Sequence, residues 1–116
     1  MRRWTGNGRL AIDLTPPQRS VLRGVFARHA ARLDAVGVYG SRVQGCAMPG
    51  SDVDLVVYGG FSDADAATVR AELEDSDLSI FADVLAYDAI GNDRLRAEID
   101  RWAEILFTRE DLLAAA

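Results

Sequence analysis

The sequence contains no lysine; all 13 of its basic residues are arginine, set against 18 acidic ones. The net charge of −5 excludes the basic surface that grips nucleic acid non-specifically, because such binding is driven by neutralising phosphates. No stable nucleic-acid partner is therefore expected, whereas a small nucleotide held through a metal remains open. There is one cysteine, Cys46, so no intrachain disulfide can form and nothing argues for an oxidising compartment. Without His or Cys neighbours, Cys46 reads as a loop residue and not a metal ligand. No apolar run follows Met1-Arg2-Arg3 to act as a signal, and no stretch is long enough to cross a bilayer. These absences make a cytoplasmic protein with no membrane contact the expectation. Repeats, low-complexity tracts and linkers are missing too.

What is present fits one domain over residues 1–116, of which 49% are hydrophobic, enough to fill a single core. Residues 1–8, with Gly6-Asn7-Gly8, read as a flexible arm, and 9–14 as a short strand or lead-in. Thr15 is a helix cap, Pro16 suits the first helical position, and Val21, Leu22, Val25, Phe26, Ala30 and Leu33 form an apolar face over 16–33. Ala35–Tyr39 reads as a strand ending at Gly40. The stretch 40–51 has three Gly and a Pro, too many breakers for more than one helical turn around 42–44. Val53–Tyr58 is a second strand, 63–74 a helix capped by Ser62, and Leu78–Leu85 a third strand. Asn92 caps a last long helix whose stripe is Leu95, Ile99, Trp102 and Leu106, or alternatively Ala103 and Phe107. Thr108 and Asp111 then form a capping box for a terminal turn. The class is α/β (α+β), a small mixed β-sheet flanked by helices.

The chemistry is concentrated in the segment from Gly40 to Leu55. Gly40 closes a strand and lets backbone approach a ligand, and Ser41 adds a hydroxyl where exposed amides favour phosphate. Asp52 and Asp54 are two apart on a strand, so both carboxylates project from one face and repel unless a cation lies between them. Hard oxygen ligands favour Mg²⁺ or Mn²⁺. A phosphate loop followed by a carboxylate pair is the arrangement metal-assisted phosphoryl transfer requires, and Asp83, charged amid an apolar strand, is the candidate third carboxylate. Arg42 is a candidate phosphate contact, or else a surface charge. Tyr39, Tyr58 and Tyr87 read as packing residues, and Trp102 as core or a partner-facing anchor.

This segment resembles the Gly-Ser-x10-Asp-x-Asp pattern of the DNA polymerase β-like nucleotidyltransferases, most closely the small MNT type. Ten residues, Arg42 to Ser51, separate Ser41 from Asp52. The chain departs from the family pattern at Gln44, Cys46 and Gly50, none of them a candidate metal ligand. The resemblance implies a polymerase β-like core that uses ATP and Mg²⁺ to transfer AMP to an acceptor hydroxyl. Gly40, Ser41 and Arg42 would then contact phosphates, and Asp52, Asp54 and Asp83 would bind metal. Proteins of the MNT type pair with HEPN-type toxins. The resemblance thus implies an antitoxin that modifies a toxin tyrosine, in a homo- or hetero-oligomer. Two alternatives stand beside it: neutralisation of the partner by binding alone, and transfer to a small molecule. The pair Arg23 and His29 also has the Arg-x5-His spacing of HEPN ribonucleases, a match that thirteen arginines explain by chance.

Overall fold

A computed structural model describes residues 12–114; the arm expected over 1–8, and the first half of the 9–14 lead-in, lie outside them. Helix α1 spans Pro16–Ala27, where Thr15 and Gln18 exchange the two hydrogen bonds of a capping box. It is shorter than the 16–33 expected. After Ala27 the chain tightens into a 3-10 turn, Ala30–Arg32, which keeps Ala30 and Leu33 in the core. His29, between the two, turns to meet Glu72 at 2.6 Å.

Strands β1 (Ala35–Tyr39), β2 (Val53–Tyr58), β3 (Ala82–Ala86) and β4 (Glu104–Thr108) form one sheet in the order β3-β2-β1-β4. β1 is antiparallel to both neighbours, and β2 runs parallel to β3, so the sheet is mixed. A single turn, α2 (Ser41–Gln44), follows β1 directly, and α3 (Asp63–Glu74) makes the crossover from β2 to β3. Ser62 and Asp65 form the capping box of α3.

The third strand starts later than the expected Leu78. A strand extends only as far as its partner, and β2 begins at Val53, which sits opposite Ala82. Before that point Ser76 holds a turn through Leu73 and Leu78.

The larger correction concerns the last helix. Helix α4 stops at Trp102, Ala103 turns extended, and Glu104–Thr108 become β4. The Ile105-Leu106-Phe107 run fits helix and strand spacing equally. Pairing with the otherwise open edge of β1 decides it, and Phe107 lands opposite Val36 in the core. α4 itself, Asp93–Trp102, is capped by Asn92 as expected, and α5 (Arg109–Ala114) by the expected exchange between Thr108 and Asp111.

Alternation along the strands separates two apolar layers. Val36, Val38, Leu55, Val57, Val84 and Ala86 pack with α1 and α3. Tyr39, Val56 and Leu85 meet Ile90, which lies between β3 and α4, and Ile99 of α4 on the other face. The candidate carboxylates share that second face. No described helix is long and apolar enough to cross a membrane.

Candidate active site

Tyr39, the last residue of β1, pairs with Asp54, and Asp54 pairs with Asp83. These three side chains therefore stand in a row across three adjacent strands. Asp52, two residues before Asp54, is exposed and lies just ahead of β2, close enough for its charge to act on Asp54.

Gly40 follows Tyr39 and presses directly on this row. Its φ of 77° and ψ of −151° belong to a region side chains rarely enter, and a Cβ there would lie 2.4 Å from Oδ2 of Asp54. The Gly-Ser loop can thus reach the carboxylates only because position 40 has no side chain. Its backbone carbonyl accepts from Val43 and Gln44, which closes α2 and sets Ser41 at the start of the turn. Exchanging Gly40 for Ala is expected to move Asp54 and cost about a hundredfold in catalytic turnover. Backbone strain there would remove about 1–3 kcal/mol of stability. Turnover and melting curves of the two proteins check both numbers.

Arg42 is 4% exposed, and its guanidinium is directed inward. Nε and Nη2 both donate to the carbonyl of Ser51, at 3.2 and 2.7 Å. Nη2 also reaches the carbonyls of Met48 and Pro49, and Nη1 that of Asp13. The guanidinium therefore holds the loop that joins Ser41 to Asp52 and ties it to the segment before α1. Its charge faces carbonyls and not the open side of Asp54, so of the two sequence readings neither a free surface charge nor an outward phosphate contact describes the side chain.

The site is acidic and short of positive charge. Burial pushes Asp54 above the usual aspartate range, and the nearby charges of Asp83, Asp52 and Glu98 push it further. The Tyr39 phenol is raised far above its ordinary value, first by burial and then by Asp54, Asp83 and Glu98, so it stays protonated. Glu98, on α4, was not legible as a site residue; it precedes the buried Ile99 in the helical repeat, and no short motif marks it. Tyr39 packs as expected, and the register adds its neighbourhood with Asp54.

These residues suit a divalent cation by type, being oxygen donors on one face whose mutual repulsion a cation would relieve. Among the described residues, however, no three Asp, Glu, His or Cys side chains are closed into a set ready to hold a metal. Asp83 explains why. Its Oδ1 accepts from the backbone N–H of Val84 and stands 3.6 Å from Nε of Arg70.

The remaining candidates stand apart from this face. Cys46 is exposed beyond α2. Arg23 donates to the Asp111 carbonyl and stacks over Phe107, while His29 meets Glu72, so the two form no joint site.

Residues 22–112 match the family described as Polymerase beta, Nucleotidyltransferase. No curated protein matches the sequence significantly. Among solved structures, a chain of a toxin-antitoxin crystallised with AMP-PNP is 14% identical, with a TM-score of 0.65 over 84% of this chain and 82% of that one. A chain of the toxin-antitoxin MntA-HepT is 13% identical, with a TM-score of 0.61 over 87% and 80%. At such identities the likeness is one of fold. The family match runs from within α1 to α5 and takes in all four strands and the Gly40–Asp54 loop, and on it this chain belongs to the polymerase beta nucleotidyltransferase family.

Proposed function

We propose that the protein transfers AMP from ATP to an acceptor hydroxyl and acts as the antitoxin of a toxin–antitoxin pair. Its acceptor would be a tyrosine of a HEPN-type toxin in the cytoplasm. The observation that carries the transfer reading is the contact of Gly40 with Asp54, itself in register with Asp83. That contact brings a phosphate-approaching backbone onto a carboxylate row.

In this reading Gly40 and Ser41 hold the β- and γ-phosphates. Asp52, Asp54 and Asp83 would hold Mg²⁺ or Mn²⁺, which when bound offsets charge on the triphosphate and favours attack at the α-phosphorus. The acceptor oxygen forms a bond to the α-phosphorus, the bond from that phosphorus to the bridging oxygen breaks, and pyrophosphate leaves. Asp83, on the edge strand β3, orients the acceptor hydroxyl and takes its proton. Arg42 serves through its backbone and by fixing the loop. Support for the pairing comes from the shared fold with chains of toxin–antitoxin complexes, one of them crystallised with AMP-PNP. The net charge of −5 adds to it, since non-specific nucleic-acid binding needs a basic surface.

The contacts of Asp83 with Val84 and Arg70 favour a second reading, neutralisation of the partner by binding alone. The two are separated by incubating the protein with Mg²⁺, α-³²P-labelled ATP and a toxin partner, beside the Asp52→Asn/Asp54→Asn form. Label on the partner with the wild type only is expected. An unlabelled partner that is nonetheless neutralised by both forms would establish occlusion and sink the transfer mechanism.

A further inference from the structure

Arg70 belongs to α3, on the sheet face opposite the carboxylates, yet its side chain ends beside one of them. β3 is an edge strand, so the backbone groups of Val84 that face away from β2 have no strand partner. The Val84 carbonyl accepts from Nη2 of Arg70 at 2.7 Å, and the Val84 N–H donates to Oδ1 of Asp83 at 3.1 Å. Arg70 and Asp83 therefore cap the same residue of the same edge, one at each backbone group.

The arrangement is incomplete in one respect. Nε of Arg70 is buried and without a hydrogen-bond partner, and the 3.6 Å to Asp83 is an ion-pair separation, longer than a hydrogen bond. A guanidinium nitrogen that is shielded from water and left unpaired is costly, and among the described residues its ion-pair partner is Asp83. Asp83 in turn has two claims on it. On one side lie the edge N–H of Val84 and the Arg70 cation. On the other lies Asp54, its register partner on β2, whose charge is repelled by Asp52 and Glu98 as well.

We infer that Arg70 is a positioning residue that holds Asp83 on the outer edge of β3 and gives it up when a divalent cation occupies the carboxylate row. The inference rests on the reading that these carboxylates take such a cation, and it holds whether or not AMP is transferred. Two effects act in the same direction. Arg70 competes for the Asp83 carboxylate, and its positive charge opposes the approach of a second cation. Removing it must tighten cation binding, where loss of a merely structural contact would weaken it or leave it unchanged.

The test is the affinity for Mn²⁺ alone, read from the electron paramagnetic resonance signal of the free ion, for wild type, Arg70→Gln and Arg70→Lys. Arg70→Gln should bind Mn²⁺ about fivefold tighter, the scale of a partly exposed ion pair. Arg70→Lys keeps the charge and should stay close to wild type. In parallel, Mg²⁺ is titrated into the wild type while the Arg70 Nε–H resonance is followed by NMR, which needs no variant to fold. That resonance should shift along the Mg²⁺ saturation curve. Equal or weaker Mn²⁺ binding by folded Arg70→Gln, or an Nε–H signal unmoved at saturation, would overturn the role of Arg70 and leave the cation site standing. If no form binds Mn²⁺, the cation reading itself fails, and the inference with it.

Discussion

Asp54→Asn protein is expected to melt at a higher temperature than the wild type at neutral pH, while losing transfer by about a thousandfold or more. On the proposed mechanism the loss follows from removing one carboxylate that would hold the cation, a contribution of several kcal/mol at about 1.4 kcal/mol per tenfold. The gain in stability follows from electrostatics. Ionised Asp54 is disfavoured by burial and by Asp83, Asp52 and Glu98, so its pKa in the folded chain lies above the unfolded value of 3.8. The folded state then binds the proton more tightly than the unfolded one. Wild-type stability therefore improves as pH falls through the raised value and levels off below 3.8, and it is poorest above the raised value, where the carboxylate is charged. Asn carries no such penalty at any pH. The advantage of Asp54→Asn should be greatest at neutral pH and shrink on acidification towards the ordinary aspartate range. Melting curves from pH 4 to pH 8 check this, and a variant less stable than wild type at pH 8 would contradict it. Millimolar Mg²⁺ should raise the wild-type melting temperature and have a smaller effect on the variant, because a ligand stabilises only the form that binds it.

Arg42→Ala is expected to lower stability by about 3 kcal/mol, since hydrogen bonds to a charged group contribute roughly 1.5–3 kcal/mol and water can replace only part of the set. In a domain of this size that is roughly 10 °C in melting temperature. The side chain makes five hydrogen bonds to the carbonyls of Asp13, Met48, Pro49 and Ser51, all from one planar group. Lysine offers one compact ammonium in place of that fork, so Arg42→Lys should recover little of the loss. The freed loop carries Asp52 at its end, so transfer should fall beyond what unfolding alone explains. Turnover measured well below the melting temperature separates the two. A variant that melts like wild type would show the carbonyls to be satisfied by other means.

The same residue illustrates how far the sequence could be read. Gly40, Ser41, Asp52 and Asp54 lie within one short segment, and Asp54 is the second residue of the expected strand, with Asp52 just ahead of it. The position of Asp83 beside Asp54 depends on the β2–β3 register, which local sequence suggests only through the apolar run around it. Arg42 stands next to Ser41 in the chain, and nothing local distinguishes an arginine facing a phosphate from one facing inward to carbonyls that arrive from four other positions. Glu98 and Arg70 approach the row from α4 and α3, by tertiary packing alone. Most helices and strands were legible because caps and periodicity agreed: Thr15, Ser62 and Asn92 each start a helix. Glu104–Thr108 failed because its apolar residues satisfy two periods at once, and the deciding partner, β1, lies far back in the chain.

That remote pairing has a consequence for synthesis. Ala35 is opposite Thr108, and Val36 opposite Phe107. Of the four strands, β4 is the last to leave the ribosome, and it closes the open side of β1, the second strand from that end of the sheet. Until it emerges, one full edge of β1 lacks its hydrogen-bond partners, and Val36 lacks the cover of Phe107. The β2–β3 half, joined by α3, has no such wait. A nascent chain is therefore most exposed to wrong strand pairing during the interval in which α3 and α4 are being made. A partner or chaperone that masks the β1 edge in that interval would protect it until β4 emerges and takes its place.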